Sequence, residues 1–137
     1  MKVSFEIATA GCTLQAHCHE ASLKAGWWMD INNGASLRDE CRKGTPFGKA
    51  LVAQKLMLIV SEVSEAMEGH RKGLLDDKLP HRQAVEVELA DAVIRIADLA
   101  GALGLDLGGA IAEKMAYNAE RPDHKIENRA SVGGKAY

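Results

Sequence analysis

Two acidic pairs of equal spacing are the strongest constraint on how this 137-residue chain folds. Glu62 pairs with Glu65, Glu88 pairs with Asp91, and each pair lies inside an apolar run typical of a helix. The i, i+3 spacing puts both members of a pair on one helix face. The two pairs also share one midpoint in the chain, and it falls in the loop signal at 73–80. An antiparallel helical hairpin therefore places Glu62 level with Asp91, and Glu65 level with Glu88.

Four carboxylates at one height require a positive charge between the helices, because buried like charges are strongly unfavourable. Acidic pairs on helices are usually solvated, but these lie among apolar residues, and the first run has no Lys or Arg nearby. Oxygen ligands suit hard cations, so the pattern predicts a site for Mg²⁺, with Mn²⁺ as the alternative. No His or Cys joins the group, which argues against zinc and against a di-iron centre. Glu68 is a candidate supporting acid, whereas Glu86 is expected to face solvent.

Helical signals account for most of the chain, with almost no strand signal. We therefore predict an all-α fold of the four-helix-bundle type. The apolar centre of the second long helix, at 56–60, is expected to be buried. We predict one domain over 1–137, with a peripheral C-terminal tail at 123–137. At 1–12 the alternation of Val3, Phe5 and Ile7 predicts either a short strand or a loosely docked N-terminal arm. The predicted helices cover about 13–25, 46–72, 81–103 and 106–121, with a short helix from Ser36.

Composition argues against several classes of protein. Hydrophobic residues make up 47% of the chain and the formal net charge is −2, so neither disorder nor a nucleic-acid partner is expected. No segment has the roughly 18 apolar residues of a transmembrane helix, and the start does not resemble a signal peptide. The three cysteines lack C-x-x-C spacing, which is typical of reduced thiols. These features predict a cytoplasmic protein that does not bind membranes.

A second polar group lies on the predicted helix at 106–121. Lys114, Tyr117, Asn118 and Arg121 follow i, i+3, i+4, i+7 spacing and so share one face. A solvated basic face explains them about as well, since cations near a helix C terminus favour the macrodipole. The functional interpretation is an anion clamp. An acidic metal site and a basic face suggest a phosphate ester bound through Mg²⁺, although no P-loop motif is present.

Aromatic and imidazole side chains near the end of the first predicted helix form a third candidate group. His19, Trp27 and Trp28 would suit a pocket in which a flat base stacks. Anchoring of the first helix to the core explains either Trp at least as well.

With these residues in place, the chain resembles the MazG-like, all-α nucleoside triphosphate pyrophosphohydrolases. Three segments carry the resemblance in the same order as in that family: 61–68, 88–91 and 114–122. The E-x-x-E and E-x-x-D pairs resemble the family's Mg²⁺ signature, and K-x-x-x-N-x-x-R-P resembles its phosphate-contacting helix. The stretch from His19 to Trp28 is similar to an opening helix that contributes to the nucleotide pocket in some members.

The resemblance implies hydrolysis between the α- and β-phosphates of a (deoxy)nucleoside triphosphate, giving a monophosphate and diphosphate. It implies that the four carboxylates are catalytic through Mg²⁺, and that Lys114, Asn118 and Arg121 contact phosphates. It also implies dimers or dimers of dimers, and a role in nucleotide-pool house-cleaning. The alternatives are a narrow-specificity dUTP or dCTP pyrophosphatase of the same superfamily, and a non-catalytic, cation-binding helical interaction module.

One position departs from the family pattern. Some relatives have Tyr four residues after the last metal carboxylate, and this chain has Arg95. We expect Arg95 to pair with Asp91 or Asp98. The departure leaves the base and sugar contacts open, and related branches also act on phosphoribosyl-ATP, so the substrate within the class is open as well.

Overall fold

The computed structural model describes residues 2–135, and within that range helices are joined by turns and loops and no strand is present. Two isolated bridges, Met29 with Ser36 and Leu75 with Gln83, are the only strand-like pairings there. The predicted all-α class is confirmed. Nowhere in residues 2–135 is a helix long and apolar enough to cross a membrane. The elements are α1 (Lys2–Lys24), α2 (Leu37–Arg42), α3 (Pro46–Lys72), α4 (Ala84–Leu103), α5 (Leu107–Glu120), a 3-10 turn (Pro122–His124) and α6 (Ile126–Arg129).

The helix ends follow from local chemistry. α3 begins at Pro46, directly after Thr45, whose Oγ1 accepts a hydrogen bond from the Gly48 N–H at 3.0 Å. Gly73 ends α3 with φ +61°, a left-handed conformation that glycine adopts without steric cost. Ser36 caps α2 through its side chain. The predicted starts of α2 and α3 are confirmed.

The structure differs from the sequence prediction at the N terminus. α1 begins at Lys2, where an arm was expected over 1–12, and the alternating Phe5 and Ile7 are therefore helical. Gly11 does not interrupt α1 but lies against α5. A Cβ atom at Gly11 would be 2.7 Å from the Gly108 Cα, so only glycine allows this approach of the two backbones.

The chain divides into two compact units, which we call the terminal unit (Met1–Thr13 with Asp106–Tyr137) and the central unit (Leu14–Leu105). In the central unit α3 and α4 pack along each other, and α2 packs against both. Contacts of Gly69 with Ala84 and of Glu62 with Arg95 show that α3 and α4 run antiparallel. Trp28, Cys41, Leu99 and Ala102 form a buried cluster in the core of this unit.

The apolar centre of α3 is not buried as expected. Leu56 is 50% exposed, Met57 59% and Val60 50%. Val63 and Met67 extend the same exposed surface along α3. The prediction was wrong for the single chain because α2 and α4 cover only part of the circumference of α3.

Candidate functional site

The α3–α4 pairing brings three of the four predicted carboxylates together. Glu62, Glu65 and Glu88 each offer an oxygen, and these oxygens lie within 4.8 Å of one another. Glu62 is buried, Glu88 is half-buried and Glu65 is exposed. We call these three residues the acidic cluster. The shared midpoint of the two pairs therefore predicted correctly which faces of α3 and α4 meet.

Asp91 does not join the acidic cluster. It is exposed on α4, three residues after Glu88. Its charge nevertheless acts on Glu88, where it contributes to a raised pKa. The predicted fourth carboxylate is thus a neighbour of the cluster, and a place in the same ligand set stays a prediction.

The acidic cluster holds excess negative charge. The pKa of Glu88 is raised above its ordinary value, chiefly by burial and then by a hydrogen bond with Glu62. The charges of Glu65, Glu62 and Asp91 raise it further. A divalent cation would relieve this repulsion. Because the donors are carboxylate oxygens alone, the group fits Mg²⁺ or Mn²⁺ better than a softer metal.

Arg95 places one cation against the cluster. Its Nε donates to Glu62 Oε1 at 2.6 Å. The expectation that Arg95 pairs with Asp91 or Asp98 was wrong. The Glu62 side chain is only 9% exposed, so it has lost more hydration than an exposed carboxylate and benefits more from a charged partner.

Glu68 and Glu86, the two other acidic residues near the predicted site, form ion pairs with side chains outside the acidic cluster. Glu68 forms ion pairs with Arg71 and Lys72 at the end of α3, which lower its pKa. Glu86 pairs with Arg82 and is exposed, as expected of a solvated residue. Neither residue belongs to the acidic cluster.

Asp98 binds the aromatic group, although the sequence predicted it only as a partner for Arg95. Its Oδ1 accepts from Trp28 Nε1 and from His19 Nδ1, each at 2.8 Å. Its Oδ2 accepts from Ser22 Oγ, also at 2.8 Å. The signal in the sequence is the position of this acidic residue between two apolar ones, Ala97 and Leu99. The structure shows that both of these neighbours are buried.

The two adjacent tryptophans have different environments. Trp28 is 4% exposed and lies in the core, so the anchoring alternative describes it well. Trp27 is 67% exposed and lines a cavity. His19 packs edge-on against Trp28, with ring centroids 6.0 Å apart. Of the three predicted pocket residues, Trp27 alone lines this cavity.

The cavity lies between α1, α3 and α4 and has a volume of about 530 Å³. Every residue that lines it belongs to the central unit. Asp91 and Arg95 take part in the lining, and both are tied electrostatically to the acidic cluster. Lys55 from α3 is the other cation of the wall. A ligand in the cavity would therefore lie beside the carboxylates.

The predicted basic face of α5 belongs to the terminal unit. Lys114 Nζ lies 4.8 Å from the Tyr117 ring centroid, and the Arg121 guanidinium lies 6.0 Å from it. Arg121 is held by Asp123 through bonds of 2.9 and 2.5 Å, which lower the pKa of Asp123. Asn118 Oδ1 is buried and accepts no hydrogen bond from the described part of the chain. Lys114 and Arg121 thus lie near one aromatic ring, that of Tyr117.

Comparisons with protein-family models, with curated proteins and with solved structures found no match to this chain. The resemblance to MazG-like hydrolases therefore rests on the sequence segments alone.

Proposed function

We propose that the chain is a Mg²⁺-dependent nucleoside triphosphate pyrophosphohydrolase. The observation that carries the proposal is the acidic cluster beside a cavity lined by Trp27, Lys55 and Arg95. Carboxylate oxygens suit the metal, an aromatic ring suits a base, and cations suit phosphates. A cavity of about 530 Å³ is of the size typical for small-molecule ligands.

In this proposal Glu62, Glu65 and Glu88 hold the metal, and Asp91 completes the set. When bound there, Mg²⁺ would stabilise negative charge on phosphate oxygens and make water a better nucleophile. Glu65 is exposed, so it is the carboxylate we assign to orienting the attacking water. Water attacks the α-phosphorus, the α–β phosphoanhydride bond breaks, and a monophosphate and diphosphate leave.

The resemblance assigns phosphate binding to the α5 residues as well. Lys114 and Tyr117 are exposed. Arg121 must exchange Asp123 for phosphate in order to take part, because its guanidinium is already bound. The contribution of Lys114, Tyr117, Asn118 and Arg121 is thus a separate element of the proposal.

Release of diphosphate tests the reaction directly. The canonical NTPs and dNTPs would be incubated with the protein in Mg²⁺, in Mn²⁺ and in EDTA. We expect metal-dependent diphosphate with a nucleoside monophosphate as co-product. The ranking of bases separates a broad enzyme from the narrow dUTP or dCTP alternative. Orthophosphate as the product, or turnover in EDTA, would contradict the proposal.

The second candidate function is a cation-binding helical interaction module without turnover. The exposed apolar surface of α3 favours it, since such surfaces mark interaction sites. It predicts that Mg²⁺ raises the melting temperature while no nucleotide is hydrolysed. Under this alternative Lys114→Ala and Arg121→Ala leave every measured property of the central unit unchanged.

Self-association is part of the proposal in either case. The apolar surface of α3 and the exposed Leu89 and Val93 of α4 are more than one chain covers. A dimer, or a dimer of dimers, would bury them.

A cytoplasmic location, which the composition suggests, is also part of the proposal.

A further inference from the structure

The cavity of the central unit has two chemically different sides. The side formed by α1 and the residues just after it carries small side chains, Ala21 in the helix and Ala25 directly after it, and the Trp27 indole. The α3–α4 side carries the charged groups Lys55, Asp91, Arg95 and Asp98. A ligand that fits both sides has an uncharged, flat or apolar part joined to a charged part.

Lys55 is the second cation of the cavity wall. Within residues 2–135 it forms no ion pair, and its Nζ lies 4.5 Å from the centroid of the Trp28 ring. The Lys55 residue is half-buried, so its side chain is partly shielded from water. A half-buried cation that only an aromatic face stabilises retains most of its capacity to bind an anion.

Arg95 is oriented but not saturated. Glu62 binds its Nε, and in the part of the chain that the structure describes its two terminal amino groups make no hydrogen bond. The Arg95 side chain is 43% exposed. Glu62 thus fixes one edge of the guanidinium, and the remaining N–H donors stay available at the cavity wall.

Asp91 and Asp98, the two carboxylates of the cavity wall, differ in how far they can neutralise the two cations. Asp98 already accepts three hydrogen bonds, from His19, Ser22 and Trp28. Asp91 is exposed and adds its charge to that of the acidic cluster. An anion would be repelled by Asp91 and the cluster until a divalent cation neutralises them.

We propose that Lys55 and Arg95 form an anion-binding edge of the cavity, which takes the phosphate oxygens of the ligand in the presence of Mg²⁺. The uncharged ring of the ligand lies against Trp27 and the small residues of α1. The identity of the ligand as a nucleotide rests on the proposed function. The anion-binding edge itself does not require hydrolysis.

Binding of inorganic tripolyphosphate in Mg²⁺ tests this edge without a base and without turnover. Calorimetry gives the Kd, and tryptophan fluorescence gives a second readout because the only two tryptophans, Trp27 and Trp28, lie at or beside the cavity. We expect Lys55→Met and Arg95→Met each to weaken binding at least tenfold. Arg82→Met is the matched control, since Arg82 is an exposed cation paired with Glu86, and we expect its Kd within twofold of wild type.

Circular dichroism establishes whether each variant is folded. If Arg95→Met does not fold, Arg95→Lys is used in its place. Lysine keeps the charge but loses the fork, so binding several-fold weaker than wild type is expected. Absence of tripolyphosphate binding by the wild type, or unchanged affinity in folded Lys55 and Arg95 variants, overturns the proposal. Nucleotide turnover with an unchanged KM in both variants would overturn this edge and leave the proposed function standing. Binding that depends on both residues, without diphosphate release from any nucleotide, supports the edge and contradicts hydrolysis.

Discussion

Asp98 links two parts of the central unit through its two carboxylate oxygens. It accepts hydrogen bonds from His19, Ser22 and Trp28, and its side chain is only 13% exposed. Hydrogen bonds to a charged acceptor each contribute roughly 1.5–3 kcal/mol. Gly101 makes the arrangement possible, because a Cβ there would be 2.6 Å from the His19 Cβ. The pocket side of α1 is therefore positioned by one buried acid.

Asp98→Asn should lower the free energy of unfolding by about 2–4 kcal/mol. The amide has one oxygen where the carboxylate has two, and its NH₂ group would face the donors that Asp98 now satisfies. Urea denaturation with tryptophan fluorescence measures the change. Glu86→Gln, at an exposed ion pair, is the control. Equal stability of the Asp98 variant and the control would show that the three hydrogen bonds contribute little.

Glu65→Gln should abolish Mg²⁺-dependent diphosphate release with little loss of fold. The amide removes a charged ligand from the acidic cluster, and Glu65 is exposed, so packing is unaffected. Asp91→Asn should have the same effect if Asp91 completes the ligand set. Diphosphate release against nucleotide concentration measures both, with Glu86→Gln as the matched carboxylate control. Normal rates in the Glu65 variant would show that the acidic cluster is not the metal site required for turnover.

Glu88 should make the metal-free protein less stable as pH rises. Because its pKa is raised in the folded state, the folded chain binds more protons than the unfolded chain between the two values. The stabilising contribution is complete near and below the ordinary value of 4.5, and it is lost as pH rises through the folded pKa. In EDTA, Glu88→Gln should therefore melt above wild type at neutral pH, and the difference should shrink toward pH 4.5. A constant difference at all pH values would contradict the raised pKa.

At the scale of elements, the α3–α4 hairpin carries the acidic cluster because both helices have well-defined ends and a close contact. Thr45 and Gly73 bound α3, and Gly104 ends α4 with φ +70°. Near the loop, a Cβ at Gly69 would lie 2.9 Å from the Ala84 Cβ, so glycine allows the two helices to approach. These features set the register in which Glu62 and Glu65 meet Glu88.

Thr45→Ala should cost about 1 kcal/mol of stability, because the Gly48 N–H loses its acceptor at the first turn of α3. Thr45→Ser retains the hydroxyl and should stay within about 0.5 kcal/mol of wild type. Thermal denaturation at one pH compares the three proteins. An alanine variant as stable as the serine variant would show that the cap does not contribute.

Considered over the described part of the chain, several large apolar side chains of α3 and α4 remain exposed to solvent. Met57, Val60 and Met67 are each at least half exposed, and Leu89 is 51% exposed on α4. Monomeric proteins rarely expose contiguous apolar patches larger than a few hundred Å². This exposed apolar surface supports the proposed self-association through α3 and α4.

Val60→Asp should convert an associated protein into a monomer while leaving it folded. Val60 is 50% exposed in the single chain, so a charge there is tolerated, whereas burial at an interface would desolvate it. Sedimentation velocity measures the mass over a concentration series. Ile31→Asp is the control, since Ile31 is 88% exposed in a loop. A monomeric wild type, or an unchanged mass in the Val60 variant, would contradict association through this surface.

Features that depend only on neighbours along the chain could be predicted from the amino-acid sequence. Helix caps at Ser36 and Thr45 and the helix end at Gly73 need only local hydrogen bonds and backbone preferences. Helical periodicity and the symmetry of the hairpin about its loop predicted that the α3 face with Glu62 and Glu65 meets the α4 face with Glu88, whereas the expected fourth member, Asp91, lies outside the acidic cluster. The same local rules failed at the start of α1, where alternation of apolar residues resembled a strand.

Tertiary structure alone decided which distant groups satisfy one another. Arg95 pairs with Glu62 rather than with an acid on its own helix, and Asp98 joins His19 to Trp28. Burial decides both, because a desolvated carboxylate benefits most from a charge or a donor, and burial is set by packing between distant segments. The exposed centre of α3 has the same origin, since its side chains are apolar all round while its neighbours cover only part of the helix.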